Sequence, residues 1–362
     1  MEEKIDKIIS VIGEYRAEDI GRGYRTRIDA DHFKKWLGQF EESDREFLVD
    51  EMLHVVPKSY LTKEHTLQMI STEFDFISKH LGYDDIDHFF DETEFLDCQP
   101  SGKSQKVFLG FIDELLKDKY GRSLSDCGTK TIKQWFYTDD VMASGGTFRE
   151  DILSKINEYG KKEFIDSNIK IIGSFVILHT WASKNVRFII DQKLGLELKD
   201  RLRFYRVSEI ENIPYKNYFT PDQKFNLIYP LKSSVGEEVL EFVEENLNDD
   251  YEYRNEKFAF RNVNDPKEEH FFSSSENRIR YEHILLDKGF EIIKSIDHIN
   301  ANSLRPLGMT NPSNKTLGTG THFFTWRNVS NTCPIVFWWG SNDWYPLFPA
   351  IRNNSAASDI DL

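Results

Sequence analysis

Apolar side chains recur every three or four positions through the first ninety residues of the chain. Two such clusters are formed by Phe33, Trp36, Leu37 and Phe40 and by Phe47, Leu48, Met52 and Leu53. This period is that of amphipathic helices. Ser43-Asp44 and Thr62 are polar residues of the kind that begin helices, while Pro57 and Gly82 mark helix ends. The pattern predicts a compact helical domain over residues 1–90, either a winged-helix-like fold or an ordinary helix bundle.

The pattern changes near residue 91, where short apolar runs begin to alternate with helical periods. Strands are predicted at 94–99, 132–138 and 169–182, and helices at 106–120 and 185–195. This alternation is typical of an α/β fold with a parallel sheet. Later segments predict helices at 237–247 and 278–293 and a buried strand, PIVFWWG, at 334–340. We therefore expect an α/β domain over residues 91–352 with an aromatic carboxyl-terminal extension, then a polar tail at 353–362.

The composition suits a folded protein of two domains, because 362 residues with a hydrophobic fraction of 39% supply enough apolar surface for both cores. The formal charge of -15 disfavours broad binding of nucleic acid and leaves room for a local basic face. Three widely spaced cysteines form no disulfide or zinc pattern, and no apolar run approaches the roughly 20 residues that span a bilayer. We expect a cytoplasmic protein with no membrane segment and no dedicated metal-ligand set.

The main chemical signal is the segment WFYTDDVMASGGT at residues 135–147. Asp139 and Asp140 end an apolar strand, and two adjacent carboxylates suit the paired 2′ and 3′ hydroxyls of a ribose. The turn into the following helix consists of Ser144, Gly145, Gly146 and Thr147. Free backbone N–H groups and the helix dipole favour a phosphate at such a turn, and parallel sheets bind ligands at the carboxyl ends of their strands. The alternative is that the acids only cap the helix and the glycines only make a turn.

The same segment resembles the PRPP-binding motif of type I phosphoribosyltransferases, an apolar strand followed by two acids and a Thr/Ser-Gly-Gly/Lys-Thr turn. The resemblance implies that Asp139 and Asp140 hold the ribose hydroxyls and that residues 144–147 hold the 5′-phosphate. Thr138 departs from the motif, in which an apolar residue is usual at this position. A fold of the type I phosphoribosyltransferase kind is the corresponding expectation.

A second loop, PSGKSQ at residues 100–105, lies between a predicted strand and a predicted helix. Its backbone and the side chains of Lys103 and Ser104 are suited to a diphosphate, and by analogy this is the diphosphate loop of the family. The segment lacks the first glycine of a Walker A sequence, so it is poor support for an ATPase. A simple capped turn is the alternative.

Over its whole length the chain resembles the PRTase-CE family of prokaryotic conflict systems, in which a winged-helix-like region precedes a diverged phosphoribosyltransferase domain. The later segments that carry this resemblance are 272–278, 305–308, 324–328 and Trp338-Trp339. Arg278 and Arg305 in these segments are candidates for binding a phosphate or a base, while core packing is the alternative for them and for the aromatic residues. The resemblance also implies a role in antiviral defence, including retrons, where the partner is a reverse transcriptase with its multicopy DNA.

Two functions remain open at this point. The first is a defence effector, or toxin, that binds PRPP or a nucleotide with Mg²⁺ and acts on a C1′–N glycosidic bond. The second is a non-catalytic nucleotide-sensing module that binds DNA or a protein, since fold does not establish turnover. A DNA contact is favoured by a cluster of cations in residues 1–90, although a solvated helix face is the alternative: Arg16, Arg22, Arg25, Arg27, Lys34 and Lys35.

Overall fold

The structure is a computed structural model that describes residues 1–212, 225–246, 259–296, 304–311, 316–340 and 343–349. The helices of these residues are α1 (Glu2–Ile12), α2 (Ala30–Leu37), α3 (Glu42–Ser59), α4 (Lys63–His80), α5 (Ile86–Asp91), α6 (Ser104–Tyr120), α7 (Gly146–Tyr159), α8 (Lys161–Ser167), α9 (Thr180–Leu194), α10 (Glu237–Asn246) and α11 (Ser275–Lys294). The strands are β1 (Tyr60–Leu61), β2 (Thr93–Phe95), β3 (Gln134–Met142), β4 (Lys170–His179), β5 (Leu202–Ile210), β6 (Leu227–Ile228), β7 (Gly320–Thr321) and β8 (Phe324–Thr325). The chain divides into two compact units, residues 63–209 and residues 1–62 with 210–362.

The unit of residues 63–209 is built on a four-stranded sheet in the order β2-β3-β4-β5. Strands β2, β3 and β4 run parallel, and the register pairs Tyr137 with Gly173. Strands β3 and β4 are nearly continuous buried runs, as expected for a parallel sheet covered on both faces. Side chains from β3 and β4 form one core with α7 and α9. The predicted α/β fold with a parallel sheet is confirmed, although β2 is shorter than the strand predicted at 94–99.

Helix α4 packs against this sheet. The ring of Phe74 lies 5.3 Å from that of Phe136 on β3 and 5.9 Å from that of Phe95 on β2, both edge to face. Such aromatic pairs stabilise packing by about 0.5–1.5 kcal/mol each beyond the buried area. The division into compact units therefore falls at residue 63 rather than at the predicted boundary near residue 90. Whether residues 1–90 act as one functional domain stays a prediction.

In the other unit, α1–α3 pack with segments from the carboxyl-terminal part of the chain. The indole Nε1 of Trp36 donates to the carbonyl of Val336 at 3.0 Å, and His32 Nε2 lies 2.8 Å from the carbonyl oxygen of Leu347. Strand β1 pairs in parallel with β8, which lies more than 250 residues later. Residues 1–90 are all described and contain no β-hairpin, so the winged-helix part of the prediction is not confirmed.

Two local predictions in this unit were wrong. The segment PIVFWWG is not a strand, since Ile335–Phe337 form a short 3₁₀ helix. A short apolar run of this kind shows burial but not conformation, and here the turn presents the Val336 carbonyl to Trp36. Pro57 does not itself end α3, which continues for two further residues to Ser59. Its missing N–H removes one hydrogen bond to the preceding turn, and the helix ends shortly after it. The predicted tail at 353–362 lies outside the described residues.

Among the described residues, no helix combines the length and the apolar composition that a bilayer span requires.

Candidate functional site

The acid pair lies near the carboxyl end of β3. Asp139 and Asp140 are each 7% exposed. The backbone N–H of Asp140 donates to Oδ1 of Asp139 at 2.8 Å, and the N–H of Val141 donates to Oδ1 of Asp140 at 2.8 Å. The two carboxyl groups also lie within hydrogen-bonding reach of each other. The structure thus brings together the two side chains that the sequence assigned to ribose binding.

Burial, and then the neighbouring charge of Asp140, raise the pKa of Asp139 to about 8. The N–H of Asp140 and the hydroxyl of Ser104 partly oppose this shift because they stabilise the carboxylate. Burial and the neighbouring Asp140 thus favour the protonated form of Asp139. A protonated carboxyl group can donate as well as accept a hydrogen bond, which suits a vicinal diol.

This shift predicts that stability depends on pH through Asp139. The folded-state pKa of Asp139 lies above its ordinary value of 3.8. The contribution of Asp139 to the free energy of unfolding is therefore complete below about pH 4 and is lost as the pH rises through about 8. Asp139→Asn imitates the protonated form. We expect the variant to unfold at a higher temperature than the native protein at pH 9, by about 2 °C or more, with the difference vanishing towards pH 4.

Scanning calorimetry at pH 4, 6 and 9 measures this difference. Asp166→Asn, on the exposed surface of α8, is the matched control and should show no such trend. An Asp139→Asn difference that is constant across the three pH values would contradict the assigned pKa.

The turn after β3 has the form of an anion-binding helix start. Gly145 is the residue before α7 and has φ of 76°, while Gly146 is the first residue of the helix. Ser144 and Thr147 are exposed, and the hydroxyl of Ser144 accepts a hydrogen bond from the N–H of Gly146 at 3.3 Å. The first N–H groups of a helix have no intrahelical acceptor, so this turn presents donors and hydroxyls together at the surface.

Gly145 is required by its surroundings as well as by its backbone. A Cβ at this position would lie 2.2 Å from Cγ2 of Val186 and 3.6 Å from Cβ of Ala182, both on α9. A left-handed φ already disfavours other residues. The turn therefore packs directly against α9, and this contact fixes the position of the turn relative to the sheet.

The second predicted loop meets the acid pair. Ser104 is the first residue of α6, and its hydroxyl lies near enough to the carboxyl of Asp139 to lower the pKa of that carboxyl. Lys103 precedes it and is exposed, with no ion pair to another described residue. The tertiary structure thus places the start of α6 beside the end of β3, as a joint binding site requires.

Several supporting side chains were missed by the sequence analysis. The side-chain oxygen of Gln105 is buried and accepts the N–H groups of Cys98 and Gln99, both at 3.1 Å, which holds the second loop in shape. The side chain of Gln99 in turn donates to the hydroxyl of Tyr137 at 3.0 Å, and Tyr137 donates to Asp151 of α7 at 2.8 Å. These contacts link the loop, β3 and α7. The only sequence signal was a glutamine in the first turn of an apolar helix.

Arg278 and Arg305, which were predicted to bind a phosphate or a base, lie in the other compact unit. Arg278 is fully buried, and all five of its donors are used. They bond to the carboxylates of Glu269 and Glu282 and to the carbonyls of Phe225 and Leu227. The structure gives Arg278 a structural role and leaves no donor for a ligand. Arg305 differs, because it is buried with no acidic side chain beside it among the described residues.

The implied Mg²⁺ can be tested against the donors present. Among the described residues, no group of three or more His, Cys, Asp or Glu side chains could hold a metal ion. Mg²⁺ in nucleotide sites is commonly bound by one or two carboxylates together with substrate phosphates and water. Asp139 and Asp140 fit that arrangement, provided that the ligand supplies the remaining oxygens.

Comparison with known proteins gives one match. Residues 33–350, well over half of the chain, match the family model described as PRTase-CE. No curated protein and no solved structure matches the chain. The match includes β3, α7 and the start of α6, so the site described above lies within it.

Proposed function

Since this chain belongs to the PRTase-CE family and so contains a phosphoribosyltransferase-like domain, we propose that residues 63–209 bind PRPP or a ribose-phosphate nucleotide. The observation that supports this most is the buried Asp139-Asp140 pair, which lies a few residues before an exposed turn at the start of α7. A sugar bearing vicinal hydroxyls and a 5′-phosphate matches both parts. The hydroxyls of Ser144 and Thr147 and the first N–H groups of α7 hold the phosphate.

The reaction we propose breaks the bond between C1′ of the ribose and its substituent. With PRPP, the bonding electron pair leaves on diphosphate, and a nucleophile then forms the new bond at C1′. The positive charge that develops on the sugar ring is stabilised by the adjacent carboxylate. Mg²⁺ bound by the acid pair and the diphosphate would neutralise the leaving group.

A non-catalytic sensor is the second candidate, and the raised pKa of Asp139 favours it. The neutral form of Asp139 stabilises a cationic sugar less than a carboxylate does. Such a protein binds PRPP without consuming it. Measurement of diphosphate release from PRPP and Mg²⁺ separates the two candidates, because only an enzyme releases diphosphate at a rate that depends on Asp139.

Binding itself is tested by calorimetry with PRPP and with ribose 5-phosphate. We propose that Lys103 contacts the diphosphate, because it lies exposed at the start of α6 next to Ser104. Lys103→Met should weaken PRPP binding about tenfold and leave ribose 5-phosphate binding nearly unchanged, since only PRPP has the 1-diphosphate. Lys117→Met, in the last turn of the same helix, is the control. Equal losses for the two ligands would count against the Lys103 assignment, and no binding of either ligand would overturn the function.

We further propose that the protein is an antiviral-defence effector controlled by a reverse transcriptase with its multicopy DNA. Of the six cations of residues 1–90 named above, only some support a contact with phosphates. Arg16 pairs with Asp19, and Lys34 pairs with Glu2. Three further arginines, all exposed and without an ion pair among the described residues, lie on the segment between α1 and α2: Arg22, Arg25 and Arg27. Tyr24 between them is buried, which fixes the segment in place.

The partner proposal is tested by co-purification from cells that carry the neighbouring genes. The triple variant Arg22→Gln, Arg25→Gln and Arg27→Gln should lose the partner, because local charges dominate within a screening length of about 8 Å. The control neutralises three cations of α11 that are each paired with an acid: Arg280, Lys288 and Lys294. Deletion of residues 1–90 is a poorer test, since it removes helices that pack on residues 336 and 347. Full retention of the partner by the arginine variant would refute the contact.

A further inference from the structure

Arg305 is a buried cation that the described structure does not neutralise. It is 3% exposed. Its Nη1 donates to the carbonyl of Leu304 at 2.6 Å, while its Nε is buried with no hydrogen-bond partner. Burial lowers the pKa of Arg305 to about 10, with no acidic side chain acting in the opposite direction. Burial of a guanidinium without an acidic partner is strongly unfavourable, so a bound anion is a physical reason for Arg305 to be retained here.

The contrast with Arg278 in the same unit shows what a structural arginine looks like in this fold. Arg278 is also buried, but it is paired with the carboxylates of Glu269 and Glu282. Its remaining donors reach backbone carbonyls, and its guanidinium lies 4.4 Å from the ring centre of Phe272. The fold can therefore satisfy a buried arginine fully, and it does not do so for Arg305.

A second unsatisfied polar group lies five residues after Arg305 in the chain, at Thr310. The hydroxyl of Thr310 is buried, with no hydrogen-bond partner, and Thr310 is 2% exposed. Residues 304–310 run beside residues 317–319, through the N–H of Leu307 donating to the carbonyl of Leu317 and a bridge between Thr310 and Thr319. A Cβ at Gly318 would lie 2.8 Å from Cβ of Arg305. Arg305 and Thr310 thus flank one short glycine-containing segment.

We propose that Arg305, assisted by Thr310, binds the phosphate group of a small anionic ligand in the unit of residues 1–62 and 210–362. A guanidinium binds phosphate oxygens through two parallel hydrogen bonds, and a threonine hydroxyl supplies a third. A bound phosphate supplies Arg305 with the negative charge that Glu269 and Glu282 supply to Arg278. This subsite is separate from the turn at residues 144–147, and the proposal does not rest on the phosphoribosyl function.

The first test needs no ligand. Arg305→Met keeps the aliphatic stem and removes the unpaired charge, so the thermal unfolding temperature should stay level or rise. Arg278→Met leaves Glu269 and Glu282 buried without their cation, and its unfolding temperature should fall clearly. A fall for Arg305→Met as large as that for Arg278→Met would overturn the proposal, because Arg305 would then be a structural residue.

The second test titrates inorganic phosphate and diphosphate into the full chain by calorimetry. The background is Ser144→Ala with Thr147→Val, which weakens any phosphate site at the α7 turn. In this background Arg305→Met should weaken phosphate binding at least tenfold, and Thr310→Val should weaken it less. Arg280→Met, at an exposed arginine paired with Asp44, should have no effect. Phosphate binding unchanged by Arg305→Met, or absent from the background protein, would refute the subsite whether or not PRPP binds at residues 139–147.

Discussion

Replacement of both Asp139 and Asp140 by asparagine is expected to abolish measurable PRPP binding in a protein that still folds. A hydrogen bond to a charged group contributes about 1.5–3 kcal/mol and one to a neutral group about 0.5–1.5 kcal/mol, so the loss of one of each corresponds to an affinity roughly 100-fold weaker. The fold should survive because the exchange keeps side-chain volume and removes a buried charge that is disfavoured at neutral pH. Calorimetry with PRPP and Mg²⁺ measures the loss, and thermal unfolding checks the fold.

The matched control is a pair of asparagine substitutions at Asp113 and Asp118 of α6, which are outside the site in the same compact unit. This control should bind PRPP as the native protein does. If the Asp139-Asp140 variant folds and binds PRPP with unchanged affinity, the acid pair does not hold the ribose and the proposed site is wrong.

Gly145→Ala is expected to destabilise the protein by about 2–5 kcal/mol and to weaken phosphate binding at the α7 turn. The new methyl group would lie 2.2 Å from Cγ2 of Val186, and the backbone φ of 76° disfavours any residue with a side chain. Valine is short and stiff, so the contact cannot be relieved by rotation of a flexible side chain. Displacement of the turn from α9 would move the N–H donors and hydroxyls that we propose bind the phosphate. Denaturant unfolding and phosphate calorimetry measure the two effects.

Gly146→Ala is the neighbouring control, because its Cβ would meet only the hydroxyl oxygen of Ser144 at 3.6 Å, an ordinary contact. Its stability should be unchanged or slightly raised, since alanine favours a helix more than glycine does. Val186→Ala should restore part of the stability lost in Gly145→Ala by removing the close atom. A Gly145→Ala protein as stable as Gly146→Ala would show that the turn is not seated on α9 as described.

The local structure around the candidate site could be predicted from consecutive residues, whereas its chemistry stays a prediction. An apolar strand, two acids and a glycine turn into a helix form a local pattern, so the sequence predicted β3, the turn and α7 together. The family-model match confirmed the predicted family, and the pairing of β3 with β4 confirmed the predicted parallel sheet. The pKa of Asp139 was beyond reach, because it depends on burial and on Ser104, which lies 35 residues earlier.

Periodicity also predicted α1–α4 as helices but not which partners they pack against. The apolar face of α4 is of the same kind as those of α2 and α3, yet Phe74 packs on the sheet while Trp36 bonds to Val336. An amphipathic face shows that a helix is buried and does not show on what, since burial of apolar area is not directional. This is why the predicted boundary near residue 90 differs from the division into compact units.

What the sequence determined by itself is therefore whatever depends on neighbouring residues: most of the helices, the strands of the parallel sheet, and the acid pair followed by a glycine turn into α7. The tertiary structure decided which distant groups meet. Arg278 and Arg305 were both predicted from the sequence to bind a phosphate or a base. In the structure Arg278 lies against two buried carboxylates, whereas Arg305 has none among the described residues. The physical reason is that the energy of a buried charge depends on partners within a few ångströms, which chain folding brings together from far apart in the sequence.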